Sequence, residues 1–408
     1  MPSPHADPPS APTSRRALVY LAVCVVLIGL NLRTVFSSFS AILPEITAAA
    51  GLPGWAVTVL TTAPVTLLGV FAPFAPRLAR RFGSENVLLG AMVVLTLGLV
   101  ARGLPLPGAS ALPLLLAGTV ACGAAIALGN VLLPSIVKRD FAHRIGLMSG
   151  LYTTAICASA ALGAGLTYPV FQATGSWRGS LAVWAVPAVV ALVVLSPGLR
   201  TGSSGPAVPA AELGPYRSPW RSALGWQVTL FMGLQSVAFY VLMAWLPSIE
   251  RSHGVSATAA GTHMALFLLI GMGASLGTGA LMHRLGDQRP VAFAGSVLAL
   301  ATFAGLAAAP ELTLLWIVLG SIGCGSLIVV ALSLFSLRST DHRQAAALSG
   351  MAQSVGYALA AIAPAVFGAL YDAGGRWEPP LLLMAGLMAV LCIVALFAGR
   401  DRVIGPGR

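Results

Sequence analysis

The chain has 408 residues, of which 57% are hydrophobic and 9% charged, and its formal net charge is +11. Mean hydropathy is +0.88. A soluble domain carries about 25% charged residues, so this chain has too few to cover a water-facing surface, and a soluble domain is excluded.

Apolar runs of about 20 residues, the length needed to cross a bilayer, number twelve. They cover 17–43, 55–79, 86–103, 111–137, 145–171, 178–196, 225–250, 258–283, 290–308, 312–337, 345–371 and 378–399. The pattern predicts an all-α integral membrane protein with twelve transmembrane helices in two six-helix bundles. Residues 1–16 are expected to be a disordered cytoplasmic tail, because "MPSPHADPPSAPTS" is rich in Pro and Ser. Span 1 is too long for a signal-peptide core and is read as retained.

Span 1 contains "LIGLNLRTVFSSFS", Leu27 to Ser40, with Arg33 near mid-depth. An arginine at the centre of a bilayer costs about 2.5–3.5 kcal/mol on insertion scales. Each of the twelve Asp and Glu residues lies in a loop, a tail or a helix end. No carboxylate is therefore expected at mid-depth to neutralise Arg33. One reading is a packing arginine satisfied by carbonyls or by snorkelling. The other is a cation in a water-filled cavity that waits for an anionic or strongly dipolar solute, which its planar fork of donors suits. Ser37 follows four residues later on the same face, and Asn31 is placed at the cavity edge.

Further along, span 4 carries Asn130. Span 7 carries Gln235 and Tyr240, and span 11 carries Gln353 and Tyr357 as an i, i+4 pair. These residues complete the candidate substrate site. For each the plain alternative is an interhelical hydrogen bond. His263, in the outer part of span 8, is read as a hydrated helix-end histidine. Small residues in "SAALGAGL" of span 5 and "GMGASLGTGA" of span 8 predict close helix contacts. The five cysteines all fall in apolar runs, none in a Cys-x-x-Cys, so no disulfide framework or metal site is expected.

Of the 23 Lys and Arg residues, eighteen fall at one set of span ends, four at the other, and Arg33 at neither. This asymmetry puts both termini in the cytoplasm. The positive charge is a topology signal and implies no nucleic-acid partner. The stretch 197–222 is Gly-, Pro- and Ser-rich and reads as a cytoplasmic linker between a bundle at 17–196 and a bundle at 223–399, with a tail at 400–408.

The two halves match. Leu43-Pro44 and Gly51 recur 203 residues later as Leu246-Pro247 and Gly254, and Arg81 and Gly83 recur as Arg284 and Gly286. At an offset of 200, Ser149-Gly150 pairs with Ser349-Gly350, and Gly175 and Trp177 pair with Gly375 and Trp377. A parallel repeat of six spans joined by a cytoplasmic loop is the layout of major facilitator transporters. By analogy with that fold, spans 1, 4, 7 and 10 line the cavity.

The strings "LNLRTVFSSFSAILPEI", "GNVLLPSIVKRDF", "GLQSVAFYVLMAWLPSI" and "LSGMAQSVGYALAAIAPAVFGALYD" resemble the cyanate permease and 2-nitroimidazole transporter family of that superfamily. The resemblance spans both halves. Thr34 stands where the family commonly has Pro. The superfamily's loop signature between spans 2 and 3 reads "PRLARRFGSE", with Arg80 replacing its Asp and Glu85 near its basic position. The second half has "GALMHRLGD", with Asp287 after Gly286. The resemblance implies gating by Arg80, Arg81, Gly83, Glu85, Arg284 and Asp287, with rewired ion pairs.

The expected activity is secondary transport of a small anion such as cyanate, by alternating access in the cell inner membrane. The alternative is export of small nitroheterocycles or other drugs through a mainly apolar cavity. A channel or receptor is a weaker fit to the duplication. No metalloprotease HExxH, no GxSxG and no P-loop occurs, so neither an enzyme nor an ATP-driven pump is expected. The expected partners are the bilayer, a small anionic solute, and protons or a counter-ion. No cofactor is implied, and a monomer is expected.

Overall fold

A computed structural model describes residues 15–104, 110–200 and 217–405. Twelve helical stretches are long and apolar enough to cross a membrane: Arg16–Ala41, Gly54–Phe82, Ser84–Gly103, Leu112–Asp140, Ala142–Thr174, Trp177–Ser196, Ala223–Ser252, Ala259–Arg284, Arg289–Ala308, Pro310–Leu337, His342–Gly374 and Glu378–Ala398. They are spans 1 to 12 below. Hydropathy located them to within a few residues. Most of the expected N-terminal tail and linker falls outside the described residues. The first helix already begins at Arg15, inside the stretch expected to be tail.

The base is the end at which span 1 starts and span 12 finishes, and the mouth is the opposite end. Within the first half, span 3 packs on spans 4 and 6; within the second, span 9 packs on spans 10 and 12. The halves meet through span 5 on span 8 and span 2 on span 11, and through span 4 on span 11 and span 5 on span 10. Each pair maps onto the other when the two repeats are exchanged, as a two-fold relation between the copies requires. Spans 4, 7 and 10 are the most buried, and spans 2 and 8 the least. Lipid is as apolar as Leu, so the hydrophobic effect does not press these helices together; close packing does.

Glycine supplies that closeness at the base. A Cβ added to Gly279 of span 8 would stand 2.7 Å from the Cα of Gly150 and 2.8 Å from the carbonyl oxygen of Gly146, both on span 5. Glycine also turns the chain at matched loops: Gly51 and Gly254 have φ of 60° and 86°, and Gly175 and Gly375 have 64° and 65°. The match fails at one pair. Gly83 has φ 82°, whereas Gly286 is not left-handed.

Span 1 is not the continuous helix that hydropathy suggests. It consists of two helices, Arg15–Gly29 and Thr34–Ala41, separated by turns at 30–33. The side chains there take over the backbone's bonding. Asn31 Nδ2 donates to the carbonyls of Leu27 and Pro187, and Thr34 Oγ1 donates to those of Leu30 and Ser159. Amide and hydroxyl groups that compete with the helix ladder in this way interrupt it. Span 7, the repeat partner of span 1, runs unbroken from Ala223 to Ser252.

The C-terminal tail is also more than an appendage. Arg338 is buried, and its Nε and Nη2 donate to the carbonyls of Ala398 and Gly399 at 3.0 and 2.9 Å. Ile404 N–H donates to the Arg338 carbonyl at 2.8 Å. The start of the tail is therefore fastened to the second bundle.

Candidate functional site

Arg33 caps the second helix of span 1, at the break, with φ −130° and ψ −23°. Placing it there aims the guanidinium across the interface between the halves. Arg33 Nη1 donates to the Tyr240 hydroxyl of span 7 at 2.6 Å, and the guanidinium carbon lies 5.8 Å from the centre of that ring. Tyr357 of span 11 meets Tyr240 edge-on, with ring centres 6.5 Å apart. Tyr357 and Cys157 of span 5 both lie near Arg33. Cys157 and Tyr357 are 200 residues apart, the register of the repeat, so the duplicated position supplies both. Among the described residues, no carboxylate forms an ion pair with Arg33. The side chain is only partly buried.

The remaining candidates take other roles. Asn31 is fastened to span 6 through Pro187 and does not face Arg33. Ser37 donates to its own helix at the carbonyls of Arg33 and Thr34 and packs on Gly163 of span 5. Gln235 is buried and folds back on its own helix, donating to Met232 O at 3.2 Å and Ser236 Oγ at 2.8 Å. Asn130 and Gln353 do meet, but through a backbone group. Pro134 has no N–H, so the carbonyl four residues earlier, that of Asn130, loses its helical partner. Gln353 Nε2 fills the gap from the other half, donating to Asn130 O at 2.9 Å and to Ser349 Oγ at 2.8 Å. The side-chain Nδ2 of Asn130 is buried with no hydrogen-bond partner among the described residues. It is the one amide of the expected set left with free donors.

Further bonds cross between the halves below Arg33. Ser336 Oγ donates to Pro134 O at 2.6 Å, and Ser135 Oγ to His342 O at 2.8 Å. With the glycine contacts of spans 5 and 8, they close the base.

The ion pairs at the base bring in a residue outside the loop signature. Glu85 pairs with Arg139 at the end of span 4, not with Arg80 or Arg81, and Arg139 also binds Asp140 with two bonds of 2.7 and 2.8 Å. Arg80 and Arg81 are exposed, and Arg81 lies over the Phe82 ring. Asp287 pairs with Arg289 at 2.7 Å, while Arg284 is exposed. The Arg289 guanidinium and N–H hold the Asp287 carboxyl below the usual carboxylate range. The loop signature alone could not have found Arg139, which lies 54 residues beyond Glu85.

His263 stands near the start of span 8 with a partly exposed side chain, and it has a partner that the sequence did not show: its Nδ1 lies 2.5 Å from Oε1 of Glu250, whose side chain is fully buried. Glu250 does sit at a helix end, as its position implies, but that end is packed under span 8.

The profile of the Major Facilitator Superfamily matches residues 21–360. The chain is 36% identical to the 2-nitroimidazole transporter of Escherichia coli (strain K12), over 97% of this chain and 99% of that protein. It is 29% identical to the cyanate transport protein CynX of the same organism, over 92% of this chain and 95% of that one. In fold it superposes on the proton:xylose symporter XylE with a TM-score of 0.76 at 14% identity, covering 95% of this chain and 97% of the other. Twelve spans, the six-plus-six duplication, the two-fold packing and a profile match over most of its length agree: the chain belongs to the major facilitator superfamily of membrane transporters.

Proposed function

We propose that this transporter moves a small planar anionic or strongly dipolar solute, cyanate-like in its chemistry, across the cytoplasmic membrane by alternating access, with Arg33 as its central ligand. The observation that carries this reading is the bonding of Arg33. It is a partly exposed cation at mid-span whose hydrogen bond goes to a neutral hydroxyl. A tyrosine oxygen does not neutralise a guanidinium, so an entering anion gains what the protein leaves unmet. Tyr240 and Tyr357 supply hydroxyl donors and flat ring walls beside it. Asn130 of span 4, whose buried Nδ2 has no partner among the described residues, is the candidate further donor.

The arrangement corresponds to a state closed at the base. In this reading both termini and the base face the cytoplasm, and the mouth faces outward. Substrate binding between the halves favours whichever state it contacts best, which couples occupancy to rocking of the bundles. Protons or a counter-ion would drive the cycle.

A second reading is export of small nitroheterocycles. It is favoured by the tyrosine rings against Arg33, by the planar nitro group that a guanidinium fork accepts, and by the name of the 36%-identical relative. Thermal stabilisation of the purified protein by cyanate and by 2-nitroimidazole separates the two, and counterflow in proteoliposomes separates a carrier from a channel. Stabilisation of wild type but not of Arg33→Gln by either compound supports the site. Equal stabilisation of both proteins refutes it.

A further inference from the structure

Glu250 lies at the mouth end of span 7, followed by Arg251, Ser252 and His253, a setting in which a carboxylate ordinarily reaches water. Here its side chain is 0% exposed. Oε1 is bound by His263 of span 8 at 2.5 Å, and Oε2 is buried with no hydrogen-bond partner among the described residues. The His263 side chain is 23% exposed, so the pair runs from dry interior to the rim.

A dry carboxylate with one partner is costly as a free anion. Two arrangements avoid net charge: carboxylate with imidazolium, or carboxylic acid with neutral imidazole. Both contain one proton between the two side chains. Losing that proton to water leaves an uncompensated buried anion, and gaining a second leaves an uncompensated cation.

Among the described residues, no nearby group takes over the role of either partner. His263 is the ion-pair partner of Glu250. On span 7 itself, Arg251 is exposed and His253 Nδ1 turns back to the Ile249 carbonyl at 2.8 Å. The mouth ends of spans 10, 11 and 12 carry Glu311, Tyr371, Asp372, Arg376 and Glu378. Of these, Tyr371 stacks on Trp377 with ring centres 3.9 Å apart, Arg376 pairs with Glu378 at 3.7 Å, and Glu311 and Asp372 are exposed.

Packing does not require the pair either. The repeat offset of 203 residues matches Glu250 with Thr47 and His263 with Leu60. In the first half Thr47 bonds its own helix at Leu43 O, and Leu60 is buried and apolar. The same scaffold position is thus filled without charge in one copy and with a titratable pair in the other.

We propose that Glu250 and His263 form a one-proton binding site that fastens span 7 to span 8 at the mouth and exchanges its proton with water on that side. Proton loss turns the pair into a buried anion, which must draw in water or separate the two helix ends. Proton occupancy therefore sets how firmly the mouth of the second bundle is packed. The inference is independent of what Arg33 binds.

The test is infrared difference spectroscopy of the full-length protein in lipid nanodiscs, titrated across about pH 5 to 8, where imidazole ordinarily changes charge. A Glu250-dependent carboxyl band, either the C=O stretch of the acid or the carboxylate stretch perturbed by imidazolium, should titrate in wild type and be missing in Glu250→Gln. In His263→Gln the midpoint of that band should move by about one pH unit or more, a tenfold change in proton affinity. A wild-type protein with no Glu250-dependent band overturns the proposal, as does a midpoint unmoved in His263→Gln. If Glu250→Gln is not recovered folded, the His263→Gln titration decides alone.

Discussion

Arg33, Glu250 and Asp287 are ionisable side chains at three depths, and each is partnered in a different way. Asp287 is in water beside Arg289, an exposed pair of the kind that contributes little to stability. Its carboxyl pKa is depressed, so its small contribution is present above the ordinary value of about 3.9. It is lost only as pH falls through the lower, folded value. Asp287→Asn should leave the melting temperature unchanged between pH 5 and 8, which a pH series of thermal melts checks. Glu250 is buried against a single histidine. Arg33 is bound to a hydroxyl, an arrangement that leaves its charge available. Arg33→Lys keeps that charge but loses the planar fork. Ligand binding should weaken about tenfold, or about 1.4 kcal/mol. Arg33→Gln should abolish transport while the protein remains folded, since a neutral amide at mid-span costs less than a cation there. Uptake into proteoliposomes, with melting temperature as control, reads both. A Gln variant that transports at the wild-type rate would make Arg33 structural.

Among the helices, the features that matter are interruptions and close approaches. Pro134 frees a carbonyl and Gln353 of the opposite half captures it. Gly279 meets Gly150 with no room for a Cβ. Both interactions stabilise the closed base. Gly279→Val should prevent that closure and shift the population towards a base-open state. Spin labels at the exposed positions Arg81 and Arg284 should then show a longer distance distribution than wild type; an unchanged distribution would remove the glycine contact from the gate. Glu85→Lys acts at the same end. It places a cation beside Arg139, which keeps Asp140 as a partner. The balance of states should shift towards base-open without loss of ligand binding. Unaltered transport kinetics in this variant would show that the Glu85–Arg139 pair does not gate.

For the whole molecule, orientation is the first test. A cysteine placed at the exposed Arg217 in a cysteine-free background should resist impermeant thiol reagents in intact cells and react after permeabilisation. Reaction in intact cells would invert the topology. Hydropathy, repeats and the Lys/Arg asymmetry made the twelve spans, the duplication and an isolated mid-span cation legible in the sequence. The bilayer imposes length and apolarity on each span separately, so those properties are local and additive along the chain. The sequence did not disclose that span 1 breaks at Arg33 while span 7 does not. It did not disclose that Arg33 meets Tyr240, 207 residues away, or that Gln235 and Asn31 turn from the site. Nor did it disclose that Glu250 is buried under His263. Those outcomes depend on how each helix is rotated and how closely it approaches its neighbours. Glycine contacts and captured carbonyls between distant segments set that rotation and approach, and they exist only once the helices have assembled.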